Sequence, residues 1–199
     1  MARASTTGTA TRILDVAERL VQTRGYNGFS YADIAEALGV RKASLHHHFA
    51  TKAELGVALV TRYRRTFLRS LAAIEEATED TGERLARYVE VYGAVLRRRR
   101  MCLCGMLAAD VATLPKPLRA NLAEYFVENE AWLGRVLEQG RTRGKIRFEG
   151  SAASMAAFLV GALEGAMLVA RGSGNAAEFD AAAQRLLDLV LAGGASRAR

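Results

Sequence analysis

The sequence contains little cysteine, proline, histidine or tryptophan. Its 199 residues include two cysteines, two prolines, three histidines and one tryptophan. Two cysteines are too few for a disulfide scaffold, and the single residue between Cys102 and Cys104 does not match the spacing of structural zinc ligands. The chain also has no glycine-rich loop of the kind that holds phosphate groups. We therefore predict no metal site and no cofactor.

Long apolar runs and a well-placed catalytic base are also missing. No apolar run approaches the length of a membrane span, and the first residues lack the apolar core of a signal peptide. We therefore expect a cytoplasmic protein whose cysteines are reduced. The histidines stand together at residues 46–48, so a catalytic thiol would have no histidine base in its half of the chain. No enzyme is predicted.

Positive charge is concentrated near the N-terminus. Residues 1–70 carry 11 Lys or Arg against 5 Asp or Glu, a net charge of +6. The remainder carries 17 against 16, a net charge of +1. Half of the residues are apolar, which suffices for a substantial core. The basic first third therefore predicts a polyanionic partner for that part of the chain.

Residues 30–52 predict a helix-turn-helix. Ser30 and Asp33 form an acidic version of the capping box at the start of a short helix. Gly39 suits the left-handed residue that ends such a helix. A second short helix follows from Arg41, with Leu45 among its apolar anchors. Two short helices joined by a glycine turn are typical of DNA-binding proteins, in which the second helix enters a major groove.

Polar side chains of this region are the predicted DNA contacts. Those of the second helix are expected to point outward, where they can hydrogen bond to bases and phosphates. Thr51 and Glu54 form another capping box, which places Lys52 in a first helical turn, where lysine and helix N-terminus can bind a phosphate together. A solvated lysine is the alternative. The predicted DNA-binding residues are Ser30, Tyr31, Arg41, Lys42, Ser44, His46, His47 and Lys52.

Residues 11–55 resemble the DNA-binding domain of the TetR family of bacterial transcriptional regulators. The chain has His46 where the family usually has a tyrosine that contacts a phosphate, and Ala43 where a glycine is frequent. A histidine can still donate a hydrogen bond there, with a charge that depends on pH. The motifs that carry the resemblance are Gly25-Tyr26, Phe29-Ser30, Ile34-Ala35, Leu38-Gly39-Val40, Ser44-Leu45, His48-Phe49 and the run from Lys52 to Leu55.

Apolar spacing predicts an all-α fold. A first helix from Thr9 or Thr11 to Gly25 supports the helix-turn-helix and follows a polar arm over residues 1–7. A last helix ends in a tail over residues 193–199. The long helices between them are expected over residues 51–79, 83–100, 115–143 and 151–171.

The predicted domain organisation follows from this helical layout and from the resemblance. We place a three-helix DNA-binding domain in residues 1–50 and a helical effector-binding and dimerisation domain in residues 51–199. The helix over residues 51–79 links the two domains. Any signal between effector and DNA would have to pass along or across this helix.

The two C-terminal helices predict a dimer interface. Between Ser151 and Arg171 the only charged residue is Glu164, and small residues are frequent. Small residues let helices approach closely, and an almost chargeless helix must be covered. The resemblance implies that these helices form a four-helix bundle between two subunits. A monomer whose other helices cover these faces is the alternative.

The second domain contains the candidate effector site. Cys102 and Cys104 follow four arginines at residues 97–100, and neighbouring arginines favour the reactive thiolate. Burial as small apolar side chains is the alternative for both cysteines. The aromatic and methionine candidates have equally good alternatives in the core. The candidate effector-binding residues are Tyr88, Tyr92, Cys102, Cys104, Met106, Trp132, Phe158 and Met167.

These features predict a sequence-specific transcriptional regulator, and the resemblance implies a repressor. Its homodimer would bind a palindromic operator in double-stranded DNA and release it when a small-molecule effector of unknown identity binds. A thiol-reactive effector is one form of this hypothesis. A non-specific architectural DNA binder and a thiol-dependent enzyme are the competing classes.

Overall fold

The computed structural model describes the backbone of residues 2–195 and the side chains of residues 8–191. Within these residues the chain forms helices and turns without a strand, which confirms the all-α prediction. A 3₁₀ turn at Val111–Thr113 precedes the seventh helix. The helices are α1 (Ala2–Arg24), α2 (Tyr31–Leu38), α3 (Lys42–His46), α4 (Lys52–Ala77), α5 (Thr81–Arg97), α6 (Leu103–Ala109), α7 (Lys116–Thr142), α8 (Ala152–Ser173) and α9 (Ala176–Ala195).

The helix-turn-helix is formed by α2 and α3. The Ser30 hydroxyl accepts a hydrogen bond from the Ala32 N–H at 3.2 Å, and Asp33 accepts one from the Ser30 N–H at 2.8 Å. The hydrogen bond from the Ser30 hydroxyl, followed by that from its N–H, lowers the pKa of Asp33. Gly39 ends α2 with φ +67°, a left-handed conformation that glycine adopts without strain. The predicted caps of α2 are confirmed. Of the capping box predicted at Thr51, the hydrogen bond from the Glu54 N–H to the Thr51 hydroxyl is present, whereas the Glu54 carboxylate accepts from the Ala50 N–H.

Two helices begin earlier than the sequence predicted. α1 begins at Ala2, so the predicted arm over residues 1–7 is helical from its second residue. Neither proline nor glycine occurs in residues 2–7 to stop the helix. α5 begins at Thr81 because the Asp80 carboxylate accepts a hydrogen bond from the Glu83 N–H at 2.8 Å and caps it. At the other end α9 continues to Ala195, and the rest of the predicted tail lies outside the described residues.

The first compact unit consists of the chain up to Arg65 together with residues 102–124. In it α1 packs against α2 and α6, and α2 packs against α3. The Asp110 carboxylate, at the end of α6, accepts a hydrogen bond from the Tyr26 N–H at 2.7 Å. Gly25 has φ +80°, and a Cβ atom there would lie 2.9 Å from Asp110 Oδ2. The loop after α1 is therefore held by the residue that ends α6.

The second compact unit consists of Thr66–Met101 and the chain from Tyr125 onward. In it α8 packs against α9, and both pack against α5. Its buried side chains come from all of its helices and provide a core of its own. They include Phe67, Leu71, Leu85, Tyr88, Tyr125, Leu133, Leu137, Leu163, Phe179 and Val190.

The compact units divide the chain at other positions than the predicted domains. Packing changes within α4, after Arg65, instead of before it at residue 51. Residues 102–124 join the first unit because α6 packs against α1. The sequence could not reveal this grouping, since it depends on contacts between segments far apart in the chain. The functional division at residues 50 and 51 stays a prediction.

Candidate DNA-binding surface and effector region

One buried side chain anchors the short helix α3. Leu45 is fully buried, and its carbonyl accepts hydrogen bonds from the N–H groups of His48 and Phe49 at 2.9 Å. Arg41 precedes the helix in an extended conformation. The packed face of α3 is thereby fixed, and its other face is turned outward.

The outward face of α3 and the residues that flank it carry exposed basic side chains. Arg41, Lys42 and His47 are exposed, and their side chains make no hydrogen bond or ion pair within the residues that the structure describes. Ser44 lies beside them and is half-buried. These side chains can reach phosphates or base edges without breaking a contact inside the protein. The structure brings the predicted residues of α3 together, and their contact with DNA stays a prediction.

His46 is exposed, with one of its ring nitrogens already in use. Its Nδ1 lies 3.0 Å from the Ala50 carbonyl oxygen. A carbonyl only accepts hydrogen bonds, so Nδ1 carries the hydrogen and Nε2 is the nitrogen left for DNA. The ring also contacts the Tyr31 ring, with 4.8 Å between the centroids. His46 is therefore oriented by the protein, and Nε2 can donate only when the imidazole is protonated.

Ser30 and Tyr31 use their hydroxyl groups within the protein. The Ser30 O–H donates to Asp33 Oδ2 at 2.7 Å. Tyr31 is only 6% exposed, and its hydroxyl donates to the Phe49 carbonyl at 2.9 Å. Burial, followed by the charge of Glu54, raises the pKa of Tyr31 to about 12. Tyr31 is therefore not available as a direct DNA contact in this geometry, and Ser30 can reach a phosphate only by giving up Asp33.

Lys52 is half-buried, and its ammonium group already has partners within the protein. Its Nζ donates to the Phe29 carbonyl at 2.5 Å and lies over the rings of Phe29 and Tyr26, 4.2 Å and 4.7 Å from their centroids. Such contacts are favourable cation–π interactions. Burial lowers the pKa of Lys52. Lys52 therefore ties the start of α4 to the loop before α2, and a phosphate would have to compete with these contacts.

Four residues of α5 and α7 form a buried polar aromatic cluster in the second unit: Tyr88, Tyr92, Asn129 and Trp132. The Tyr88 hydroxyl donates to Asn129 Oδ1 at 2.8 Å, and Asn129 Nδ2 donates to the Tyr92 oxygen at 2.9 Å. The two hydroxyl oxygens lie 3.2 Å apart. Because Asn129 takes the hydrogen of Tyr88, Tyr92 must be the donor between them. The three polar groups thus close a ring of hydrogen bonds.

Sequence reasoning missed Asn129. An asparagine has the residue type of a surface position, yet Asn129 is fully buried. The available signal was its spacing on α7, four residues after Tyr125 and three before Trp132. Residues at these intervals share one helical face, and that face is aromatic. A buried amide on such a face needs polar partners, which Tyr88 and Tyr92 supply.

The remaining candidate effector residues do not join the cluster. Cys102, Cys104 and Met106 belong to the first compact unit, and both cysteines are buried. Met167 is fully buried in α8. Phe158 is 53% exposed, so the described residues do not enclose it, and its place in an effector site stays a prediction. It lies instead on an outer face of α8.

An apolar face is exposed on the two C-terminal helices. Gly161 and Gly165 lie on the same side of α8, and a Cβ atom built at either would meet no atom within 4 Å. Within the described residues, α8 is also long and apolar enough to cross a membrane by length and composition alone. Of its most apolar 18-residue segment, 28% is buried. The expectation that no such run exists was wrong, because frequent Ala, Leu and Val raise the mean hydropathy of α8. The exposed large apolar side chains of this face are Phe158, Leu168, Val169 and Leu189.

Two family models match most of the chain. Residues 13–59 match the model of the bacterial regulatory proteins of the tetR family. Residues 81–186 match the model of the tetracyclin repressor-like C-terminal domain. The first range contains α2, α3 and the adjoining parts of α1 and α4, and the second contains the polar aromatic cluster.

Solved structures and a curated relative agree with these matches. A TetR-family transcriptional regulator from Agrobacterium tumefaciens is 34% identical, with a TM-score of 0.90 and coverage of 94% of this chain and 99% of that chain. A TetR transcriptional regulator from Legionella pneumophila is 30% identical, with a TM-score of 0.82 and coverage of 90% and 95%. The HTH-type transcriptional repressor NemR of Escherichia coli (strain K12) is 26% identical over 167 residues, which are 82% of this chain and 84% of NemR. The chain therefore belongs to the TetR family and is a DNA-binding transcriptional regulator.

Proposed function

We propose that the chain is a homodimeric repressor that binds a palindromic operator and leaves it when a small molecule binds. The observation that carries this proposal is the exposed outer surface of α3, where the side chains of Arg41, Lys42 and His47 have no partner among the described residues, next to the capped helix α2. In dimers of this kind, two recognition helices enter successive major grooves about 34 Å apart. A two-fold protein axis then requires palindromic half-sites. Acting on DNA, the protein would work in the cytoplasm.

The side chains of α3 receive different roles in this proposal. Arg41, Lys42 and Ser44 are assigned to base reading, because they lie at the N-terminal end of α3, the part of a recognition helix that contacts base edges, and their side chains have no described partner. His46 and His47 are assigned to phosphates, which carry no sequence information themselves. Residues that were predicted beside them, such as Lys52, support this surface from within instead.

The exposed face of α8 and α9 is proposed as the dimer interface. Glycine inside a helix costs about 1 kcal/mol relative to alanine. Among the described residues, no contact requires glycine at Gly161 or Gly165, since a Cβ atom at either position would meet open space. A helix of a second subunit that packs closely at these positions would give both glycines a role. Exposed apolar side chains around them support the same arrangement.

Effector release requires a ligand with different affinities for two arrangements of the protein. The second unit is proposed to bind it, because polar groups converge there inside an aromatic core. The thiol-reactive form of this hypothesis is weaker, since Cys102 is 2% exposed and accepts a hydrogen bond from the Tyr63 hydroxyl at 3.8 Å. A Cys102→Ser, Cys104→Ser variant that an electrophile still releases from DNA would contradict it.

Footprinting on the DNA beside the gene that encodes the chain tests the proposal. We expect the parent protein to protect a short palindromic site. Arg41→Ala and Lys42→Ala should each lower operator affinity roughly 10- to 100-fold and relax its sequence preference, because a base contact is removed. The control Lys145→Ala removes an exposed lysine from the loop after α7 and should leave the footprint unchanged.

Two results would contradict parts of this proposal. Equal losses of affinity for operator and random DNA would show that Arg41 and Lys42 contact only phosphates. Uniform protection of every sequence, weakening steadily with salt, would favour the non-specific architectural binder.

A further inference from the structure

The indole N–H of Trp132 is buried without a hydrogen-bond partner among the described residues. Trp132 is 3% exposed, and an indole nitrogen can only donate. Burying a donor without an acceptor costs free energy, and most such groups in folded proteins are paired. An acceptor that the described residues do not supply would therefore stabilise this buried donor.

The surroundings of Trp132 are aromatic. Its indole stacks on the Tyr88 ring, with 5.5 Å between centroids and 24° between planes. Tyr88 in turn meets Tyr92 edge-on, and Phe67 meets Tyr92 in the same way. Aromatic rings favour flat partners that extend such a stack. The site therefore suits a molecule with a flat apolar body.

The hydrogen bonds beside Trp132 join neutral groups. The ring formed by Tyr88, Tyr92 and Asn129 consists of two hydroxyls and one amide. A carboxylate ligand placed here would lose its hydration without gaining a counter-charge from this ring. A neutral oxygen acceptor meets the need of Trp132 without that cost.

We propose that the polar aromatic cluster binds a neutral, flat molecule whose oxygen acceptor, such as a ketone, takes the hydrogen bond of Trp132 Nε1–H. This inference rests on the proposed function, because the molecule is assigned as the effector. Tyr88 and Trp132 are close-packed in this structure, so the ligand has to separate them. A ligand that favours the separated arrangement has the differential affinity that release requires.

Calorimetric titration of the full-length, DNA-free protein tests this proposal with three probes. Acetophenone is flat and carries a ketone, ethylbenzene has nearly its shape without an acceptor, and benzoate carries a charge. We expect acetophenone to bind about tenfold more tightly than ethylbenzene, which corresponds to one hydrogen bond, and more tightly than benzoate. Because Trp132 is the only tryptophan, its fluorescence gives a second readout of binding at this position.

A matched pair of variants locates the effect. Trp132→Phe keeps an aromatic ring and removes the donor, so it should bind ketone and hydrocarbon equally. Phe148→Leu changes an aromatic side chain outside the cluster, in the loop after α7, and should keep the preference. If Trp132→Phe does not fold, the affinities of the three probes for the parent protein still test whether the site prefers a neutral oxygen acceptor.

Several results would overturn the proposal. They are no binding of acetophenone, equal affinity for ethylbenzene, tighter binding of benzoate, or a ketone preference that survives in Trp132→Phe. If an ordered water molecule were the sole partner of Trp132, acetophenone and ethylbenzene would bind with equal affinity. Retention of an operator fragment at saturating acetophenone would overturn the effector role. The footprint is measured without any probe, so its failure would concern the proposed function alone.

Discussion

Two lysines of the first unit show how differently one residue type is used within ten positions. Lys42 is exposed on α3 and its side chain has no described partner. Lys52 begins α4, where it is bonded to the Phe29 carbonyl and covered by two rings. Both stand in the same basic stretch of sequence. Charge therefore locates a DNA-binding region, and packing decides which of its cations are free to contact DNA.

Two glycines of the first unit also differ in how closely other residues surround them. Gly25 and Gly39 both have a left-handed φ, at +80° and +67°. A Cβ atom at Gly39 would meet open space, whereas one at Gly25 would press on the carboxylate that holds the Tyr26 N–H. A side chain at Gly39 would have space but a strained backbone, whereas one at Gly25 would meet both strain and a close neighbour.

The largest expected effect is the difference in stability between the alanine variants of Gly25 and Gly39. Gly25→Ala should lower the free energy of unfolding by about 3 kcal/mol, since it adds displacement of Asp110 to the strain of a left-handed alanine. Gly39→Ala should cost only the strain, about 1 kcal/mol. Urea denaturation of both variants measures the difference. Equal losses would show that Asp110 does not constrain the loop after α1.

Replacement of Lys52 should mainly lower stability, whereas replacement of Lys42 should mainly weaken operator binding. Lys52→Met should lower the free energy of unfolding by about 2 kcal/mol, because a charge-assisted hydrogen bond and two cation–π contacts are lost. Lys42→Met should change it by less than about 0.5 kcal/mol, as expected for an exposed side chain, while weakening operator binding. Urea denaturation and operator titration on the same samples measure both. A stable Lys52→Met protein with a tenfold lower operator affinity would restore Lys52 as a phosphate contact.

The smallest expected effect concerns Tyr31 and depends on pH. At pH 7, Tyr31→Phe should cost about 1 kcal/mol, because the hydrogen bond to the Phe49 carbonyl is lost. The pKa of Tyr31 is raised from 10.0 to about 12, so between these values the folded state keeps a proton that the unfolded state has released. Stability of the parent therefore falls as pH rises through this window, by about 1.4 kcal/mol per unit at most.

Tyr31→Phe has no hydroxyl to titrate and so does not lose stability in this way. The difference in free energy of unfolding between variant and parent should therefore approach zero near pH 11. Urea denaturation at pH 7 and pH 11 measures it, with the parent as reference. A gap of constant size would mean that Tyr31 titrates alike in both states.

The helix-turn-helix could be predicted because its signals are local. Ser30, Asp33 and Gly39 act on residues within one helical turn, so their spacing alone indicates the caps. The burial of Tyr31 and the contacts of Lys52 could not be predicted in this way. Both depend on Phe29 and Phe49 meeting these side chains across the fold, and a local pattern carries no record of such contacts.

The effector region was predicted less well than the DNA-binding surface. Tyr88, Tyr92 and Trp132 could be chosen as aromatic residues at helical spacing, and the structure does bring them together. Cys102 and Cys104 were chosen because neighbouring arginines favour the thiolate, yet both are buried and pack in the first unit. Their packing depends on contacts made after the turn at Arg99, where φ is +57°, and local charge carries no record of such contacts.

The closed ring of hydrogen bonds among Tyr88, Tyr92 and Asn129 makes the fate of each residue in evolution depend on the other two. Each member both gives and receives a hydrogen bond, so replacing any one leaves the other two with unmet polar groups in the core. Single replacements should therefore be selected against more strongly than the simultaneous replacement of all three by apolar residues. Descendants of this chain should keep the three together or lose them together, as one inherited character.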